Sequence, residues 1–124
     1  MTGRRLGATP LSEGRCAFHV WAPARERMEL RLLDGPERLV GMERDADGYW
    51  TAEVEKVAPG ARYVYRLDGA LDRPDPASRF QPEGVHGPSA VVPSPAAPTP
   101  TPAVPLSDYV LYELHVGTFT PEGT

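Results

Sequence analysis

The residues best suited to chemistry lie near the end of the sequence, in the run Tyr109-Val-Leu-Tyr-Glu-Leu-His-Val116. Apolar residues occupy both alternating sets of this run, which is typical of a strand buried on both faces. Glu113 and His115 are two residues apart, so a strand would carry them on the same face. A carboxylate and an imidazole so placed either form a structural hydrogen bond or contact a ligand. The structural role is the commoner one for buried polar pairs.

Aromatic side chains form a second set of candidates, because they could stack on the rings of a glucan. Alternation places Trp50, Tyr63 and Tyr65 on the core faces of their strands, so we expect them to pack inside. Trp21 and Tyr49 are the better candidates for glucan contact.

The remaining reactive residue types point away from metal and thiol chemistry. His19, His86 and His115 lack the spacing of metal ligands, so we predict no metal site. Cys16 is the single cysteine, which excludes an intrachain disulfide and favours a reducing compartment. Because Cys16 alternates with Phe18 and Val20, we expect a buried core residue and not a reactive thiol.

Charge and composition exclude several classes of protein. The net charge of −4 and the absence of a basic block argue against a nucleic-acid partner. No apolar stretch has the length of a signal peptide core or a membrane span, so we predict no membrane partner. Fifteen prolines and twelve glycines indicate many turns and argue against a helical bundle.

Short alternating segments separated by turn residues must position these candidates. The predicted strands cover residues 15–23, 27–33, 38–43, 49–55 and 61–67. Strands of this length at short spacing predict an antiparallel β-sandwich. We expect its core to contain one inward-facing set: Val20, Met28, Leu30, Leu32, Trp50, Val54, Tyr63, Tyr65 and Leu67.

Proline marks the end of the sandwich. Residues 93–105 carry proline at almost every second position, which excludes them from a sheet ladder and favours an extended spacer. The predicted division is a sandwich at 1–92, a proline-rich linker at 93–108 and a further segment at 109–124. Before the linker, the proline- and glycine-containing segment 74–89 is interpreted as a structural loop covering the sandwich edge, with Asp75 and Ser78 capping backbone amides.

Several motifs resemble the N-terminal part of maltooligosyltrehalose trehalohydrolases, which belong to the alpha-amylase family of glycoside hydrolases. Two are shared with branching and debranching enzymes: Val20-Trp-Ala-Pro23 and Pro59-Gly-Ala-Arg-Tyr-Val-Tyr-Arg-Leu-Asp-Gly69. Two are more specific to the trehalohydrolases: the loop from Pro74-Asp-Pro-Ala-Ser-Arg79 to Gly84-Val-His-Gly-Pro-Ser89, and the ending Gly117-Thr-Phe-Thr-Pro-Glu-Gly-Thr124. The resemblance spans nearly the whole chain.

This resemblance implies an all-β, immunoglobulin-like (E-set type) antiparallel sandwich, followed by a linker and the first strand of a truncated β/α barrel. Residues 109–116 would be that strand, with Glu113 and His115 on its interior face and His115 nearest the substrate. The two carboxylates that cleave a glycosidic bond would lie beyond residue 124, so no catalytic residue is assigned here. The resemblance also implies a cytoplasmic enzyme without cofactor. Its partners would be a maltooligosyltrehalose or α-glucan substrate and the enzyme's own catalytic barrel.

Three alternatives stay open at this point. The parent protein could be a glycogen branching or debranching enzyme with the same kind of module. The chain could instead be a self-standing glucan-binding module. It could also be an interaction domain that uses its proline run, although no Arg or Lys flanks that run as an SH3-type ligand requires.

Overall fold

The computed structural model describes residues 5–93 and 102–123, and strands dominate the first of these ranges. The strands are β1 (Gly7–Pro10), β2 (Cys16–Trp21), β3 (Met28–Leu32), β4 (Arg38–Gly41), β5 (Glu43–Arg44), β6 (Tyr49–Val54), β7 (Arg62–Leu67), β8 (Leu71–Arg73) and β9 (Ser89–Ala90). Short 3-10 helices cover Ser12–Gly14 and Leu106–Asp108, and a one-turn helix α1 covers Val116–Phe119.

The strands form two antiparallel sheets. The first sheet has the order β1-β2-β6-β5, and the second has the order β4-β3-β7-β8, with β9 also paired to β7. Inward-facing side chains of both sheets meet in one core, where the rings of Phe18 and Tyr63 pack edge to face with centroids 4.9 Å apart. The predicted antiparallel sandwich is therefore confirmed.

The predicted core is also confirmed, apart from one residue at its margin. Every member of the predicted set is buried except Leu67, which is partly buried against the core. Cys16 is 1% exposed, and burial raises the pKa of its thiol to about 11. At neutral pH this thiol is protonated and shielded, as expected for a core cysteine.

The prediction of one strand at 38–43 is wrong in an informative way. This stretch forms two short strands in different sheets, because β4 pairs with β3 while β5 pairs with β6. Met42 lies at the crossing, is buried, and donates its N–H to the carbonyl of Met28 at 3.0 Å. The chain changes sheets here, so no single alternating pattern describes it.

The segment 74–89 is a structural loop, as predicted, and Asp75 is its centre. Asp75 is 3% exposed, and its carboxylate accepts hydrogen bonds from the hydroxyls of Tyr63 and Tyr65 at 2.7 and 3.2 Å. It also caps the amide of Ala77 at 2.8 Å. Ser78 does not cap an amide and instead donates to the carbonyl of Phe80.

Arg79 fastens the same loop to the first sheet. Its guanidinium donates to the backbone carbonyls of Ala8 and Leu6 at 2.8 and 3.0 Å. The loop is thereby held to both sheets, through Asp75 on the β7 side and Arg79 on the β1 side.

The C-terminal segment, residues 102–123, differs from the prediction. Residues 109–115 form no strand, and α1 begins at Val116, inside the range expected to be extended. Residues 102–119 are all exposed. A strand needs a neighbour to satisfy its backbone groups, and no described strand pairs with this segment. Half of the predicted proline-rich linker, residues 94–101, lies outside the described residues, so the division at 93–108 stays a prediction.

Candidate functional site

Trp21 and Tyr49 lie directly opposite each other on β2 and β6. The register pairs Trp21 with Tyr49 and His19 with Thr51, so all of these side chains share one face of the first sheet. This face alternates with the core face that carries Val20 and Trp50. We call the surface formed by His19, Trp21, Tyr49 and Thr51 the Trp21 face.

The indole of Trp21 is exposed and held in one orientation. Its side chain is 56% exposed, and Nε1 donates to the carbonyl of Asp47 at 3.2 Å. That carbonyl belongs to the turn between β5 and β6, in which Asp45 accepts hydrogen bonds from the amides of Asp47 and Tyr49 at 3.0 Å. The turn therefore fixes the position of the aromatic ring next to it.

The half-buried Tyr49 lies beside a polar pair. Its ring stacks on that of His19, with centroids 5.5 Å apart and an interplanar angle of 22°. His19 is itself buried, and its Nδ1 lies 2.8 Å from Oγ1 of Thr51, which orients the imidazole. Aromatic faces next to hydroxyl and imidazole groups are a composition that suits a sugar, which offers both C–H faces and hydroxyls.

Two clefts of ≈240 Å³ and ≈250 Å³ flank Trp21. The first lies between Leu6, His19 and Ala77, and the second reaches from Ala22 to Arg73 and Pro74. Trp21, Val20 and Pro76 line both. The loop 74–89 thus supplies one wall of each cleft, and Trp21 supplies the ridge between them.

Two buried hydrogen bonds, from Tyr63 and Tyr65 to Asp75, keep the loop 74–89 in place as a wall of both clefts. Burial, followed by the charge of Asp75, raises the pKa of Tyr63 and of Tyr65 well above the ordinary value. Both hydroxyls therefore stay protonated and donate to the carboxylate at any physiological pH. Sequence patterning placed the tyrosines in the core but missed this acceptor. The sequence did carry a signal for it, because two buried tyrosine hydroxyls need a hydrogen-bond acceptor.

The structure does not bring Glu113 and His115 to this surface. Both are exposed in the C-terminal segment, and Nδ1 of His115 lies 3.3 Å from Oγ1 of Thr118. Of the four sequence candidates, the fold therefore unites Trp21 with Tyr49 and leaves the other pair apart.

Residues 5–93 and 102–123 contain no group of three His, Cys, Asp or Glu side chains that could hold a metal ion. The helices found there are too short or too polar to cross a bilayer.

The fold and the match to a family define the class of protein. Residues 5–81 match the model of carbohydrate-binding module 48, the isoamylase N-terminal domain, and this chain belongs to that family. The match covers strands β1 to β8 and ends inside the loop 74–89, before β9.

Full-chain relatives narrow the resemblance to one kind of enzyme. The chain is 43% identical, over 116 residues, to a malto-oligosyltrehalose trehalohydrolase of Saccharolobus solfataricus, covering 92% of this chain and 20% of the relative. It is 42% identical, over 124 residues, to that of Deinococcus radiodurans, covering 97% and 20%. The chain thus spans about a fifth of the length of these relatives, and the resemblance predicted from the motifs is confirmed.

Solved structures agree on the fold. A Salmonella typhimurium protein described as an alpha-amylase superposes with a TM-score of 0.75 at 37% identity, over 96% of this chain and 20% of its own. A pullulanase from Anoxybacillus sp. LM18-11 gives a TM-score of 0.69 at 26% identity, over 97% and 18%. The sandwich is therefore shared more widely than the trehalohydrolase motifs.

Proposed function

We propose that this chain is the non-catalytic N-terminal module of a glycoside hydrolase that releases trehalose from maltooligosyltrehalose by cleaving the adjacent α-1,4 bond. The observation that carries the proposal is the sequence identity over nearly the whole chain. The trehalohydrolase relatives are 43% and 42% identical over 92% and 97% of the chain, whereas the pullulanase that superposes over 97% of the chain is 26% identical.

The isolated chain should not cleave glycosides. Cleavage requires two carboxyl groups on either side of the scissile bond. Four clefts on the described part of the chain include one carboxylate among their lining residues, Asp34, which is ion-paired with Arg62 at 2.7 Å. Glu113 is exposed and lines none of them.

The test compares the isolated chain with the protein encoded by the whole reading frame. Both are incubated with maltooligosyltrehalose, and free trehalose is measured by chromatography. We expect release by the longer protein and none by residues 1–124. A longer protein that instead builds α-1,6 branches, or cleaves pullulan without releasing trehalose, would support the branching or debranching alternative, which the shared pullulanase fold favours.

Within that enzyme, we assign glucan contact to the Trp21 face. Trp21 is exposed and already oriented by Asp47, so binding would cost little side-chain entropy. In calorimetric titrations with maltoheptaose, W21A should weaken binding roughly tenfold, the equivalent of about 1.4 kcal/mol. F80A removes an equally exposed aromatic ring from another site and is the matched control. No heat from the unaltered chain at millimolar sugar would remove both this contact and the self-standing glucan-binding alternative.

The same proposal places residues 109–116 in the first strand of the enzyme's own β/α barrel, with Glu113 and His115 beside the substrate. H115A in the whole enzyme separates the two roles of this pair. A sugar contact predicts a raised KM at unchanged thermal stability, whereas a structural pair predicts a lower Tm at unchanged KM.

We also assign the protein to the cytoplasm, on the support of its lone, buried Cys16.

A further inference from the structure

The loop 74–89 crosses the edge strand β1 at Gly7. Gly7 has φ of +89°, and a Cβ there would lie 2.9 Å from the carbonyl oxygen of Ala77 and 2.9 Å from Nη1 of Arg79. A side chain at this position would therefore push the loop away from the sheet. Gly7 pairs in register with His19, which belongs to the Trp21 face, so the crossing lies beside the candidate site.

Arg79 fixes the loop at this crossing. Its Nη1 donates to the carbonyl of Ala8 at 2.8 Å and its Nη2 to that of Leu6 at 3.0 Å, the residues on either side of Gly7. A planar guanidinium holds two acceptors in a fixed geometry, which a single ammonium group does not reproduce. Leu6 and Ala77 are walls of the first cleft beside Trp21. Arg79 thus holds both walls of this cleft in place without lining it.

The clefts on the two sides of Trp21 are matched in size, at ≈240 Å³ and ≈250 Å³. Pockets for drug-sized ligands measure about 300–1,000 Å³, so each cleft suits a single sugar ring. The lining of the second cleft includes Ala22, Arg73 and Pro74 but not Arg79. A chain that occupies both clefts has to bend over the indole, and α-1,4-linked glucosyl units form such a curved chain.

We propose that the two clefts are neighbouring subsites for one α-1,4-glucan chain, with one glucosyl unit in each cleft and a third stacked on Trp21 between them. Arg79 is then a positioning residue, because it acts on the first subsite through Leu6 and Ala77. These subsites rest on the glucan contact proposed above for the Trp21 face, and they add the number of units that the face holds. Maltotriose is the shortest chain that fills both subsites, whereas maltose reaches Trp21 and one of them.

Calorimetric titrations of residues 1–124 with maltose and maltotriose test this arrangement. The unaltered chain should bind maltotriose more tightly, because the third unit adds the contacts of a second cleft. R79M keeps an apolar stem but removes both hydrogen bonds to β1. It should weaken maltotriose binding roughly fivefold, as expected when about 40 Å² of apolar contact is lost. Maltose should lose less, because it can bind through the second cleft.

The chain offers a matched control for R79M. Arg38 also donates to two backbone carbonyls, those of Glu55 and Lys56 at 2.8 and 3.0 Å, and it lines neither cleft. R38M should therefore remove as many hydrogen bonds and leave maltotriose binding unaltered. G7A displaces the loop at the same crossing by a clash, so it should reproduce the pattern of R79M.

The dependence on chain length separates the two subsites from the glucan contact itself. Binding without a preference for maltotriose, an equal loss for both sugars in R79M, no loss in R79M, or the same loss in R38M would overturn the subsites and leave the contact standing. No binding of either sugar by the unaltered chain would remove the contact and the subsites together.

Discussion

Two segments of the chain have similar sequences but different structures: Tyr49–Val54, which reads Tyr-Trp-Thr-Ala-Glu-Val, and residues 109–114, which read Tyr-Val-Leu-Tyr-Glu-Leu. The first is β6, paired on both edges and alternating between core and surface. The second is exposed and forms no strand. The sequence of residues 109–114 is nevertheless the more apolar of the two. Strand propensity therefore describes a side chain's fit to a pleated surface, and a strand forms where neighbours supply that surface.

The same contrast holds for how each region treats its polar groups. In the sandwich, the buried Asp75 carboxylate accepts three hydrogen bonds. In the C-terminal segment, residues 102–119 are exposed, and water is available to their polar groups. Equivalent substitutions should thus have large effects in one region and small effects in the other.

The largest difference should come from removing a leucine side chain. Leu30 is 0% exposed and Leu111 is 85% exposed. L30A should lower the free energy of unfolding by about 4 kcal/mol, because it leaves a cavity in a close-packed core. L111A should change it by less than about 0.5 kcal/mol. Urea unfolding followed by tryptophan fluorescence measures both, and a comparable loss in L111A would mean that the segment packs on the sandwich.

A second pair compares two aspartates. D75A should cost about 3 kcal/mol, because it leaves two buried tyrosine hydroxyls and the amide of Ala77 without an acceptor. D108A removes an exposed carboxylate that accepts from Ser107, and the free energy of unfolding should not change. If D75A cost no more than D108A, water would have to replace the carboxylate at the tyrosines.

The sequence was sufficient for features that repeat over several residues. Alternation placed β2, β3, β6 and β7, and with them the core and the pairing of Trp21 with Tyr49 on one face. It failed for β1, β8 and β9, which have four, three and two residues and are too short to show a period. It also failed at Met42, where the chain changes sheets.

The candidate site was predicted in part, for a related reason. Trp21 and Tyr49 are signalled by their own strands, whereas the clefts beside Trp21 depend on Pro76, which lies more than fifty positions away in the sequence. The hydrogen bonds that Asp75 accepts likewise depend on contacts between the loop 74–89 and strand β7. Local pattern carries no information on such contacts until the two sheets are placed.

A smaller effect is expected from glycine substitution. Gly48 has φ of +85°, and a Cβ there would lie 2.7 Å from Cβ of Pro23. G48A should cost about 2 kcal/mol through strain and the clash, and it should loosen the turn that holds Trp21. G35A has a similar φ of +75° with nothing within 4 Å, so it should show the conformational cost alone. In the C-terminal segment, G117A meets only the movable imidazole of His115 and should be neutral.

The smallest effect concerns pH and a single exposed carboxylate. Asp68 accepts hydrogen bonds from the amides of Arg27 and Glu26 and from the Arg25 guanidinium, and these hold its pKa below the ordinary 3.8. A lowered pKa in the folded state stabilises the fold above pH 3.8, and this contribution is lost as the pH falls through the folded value. D68N should therefore lower the urea midpoint slightly at neutral pH. Its difference from the unaltered chain should shrink below pH 3.8.

Glu113 supplies a control carboxylate. It is exposed in the C-terminal segment, so E113Q should leave the urea midpoint unchanged at neutral pH. A D68N difference that persisted unchanged into acid would mean that the Asp68 hydrogen bonds act without its charge. The amide–carboxylate contacts would then stabilise the loop between β2 and β3 by geometry alone.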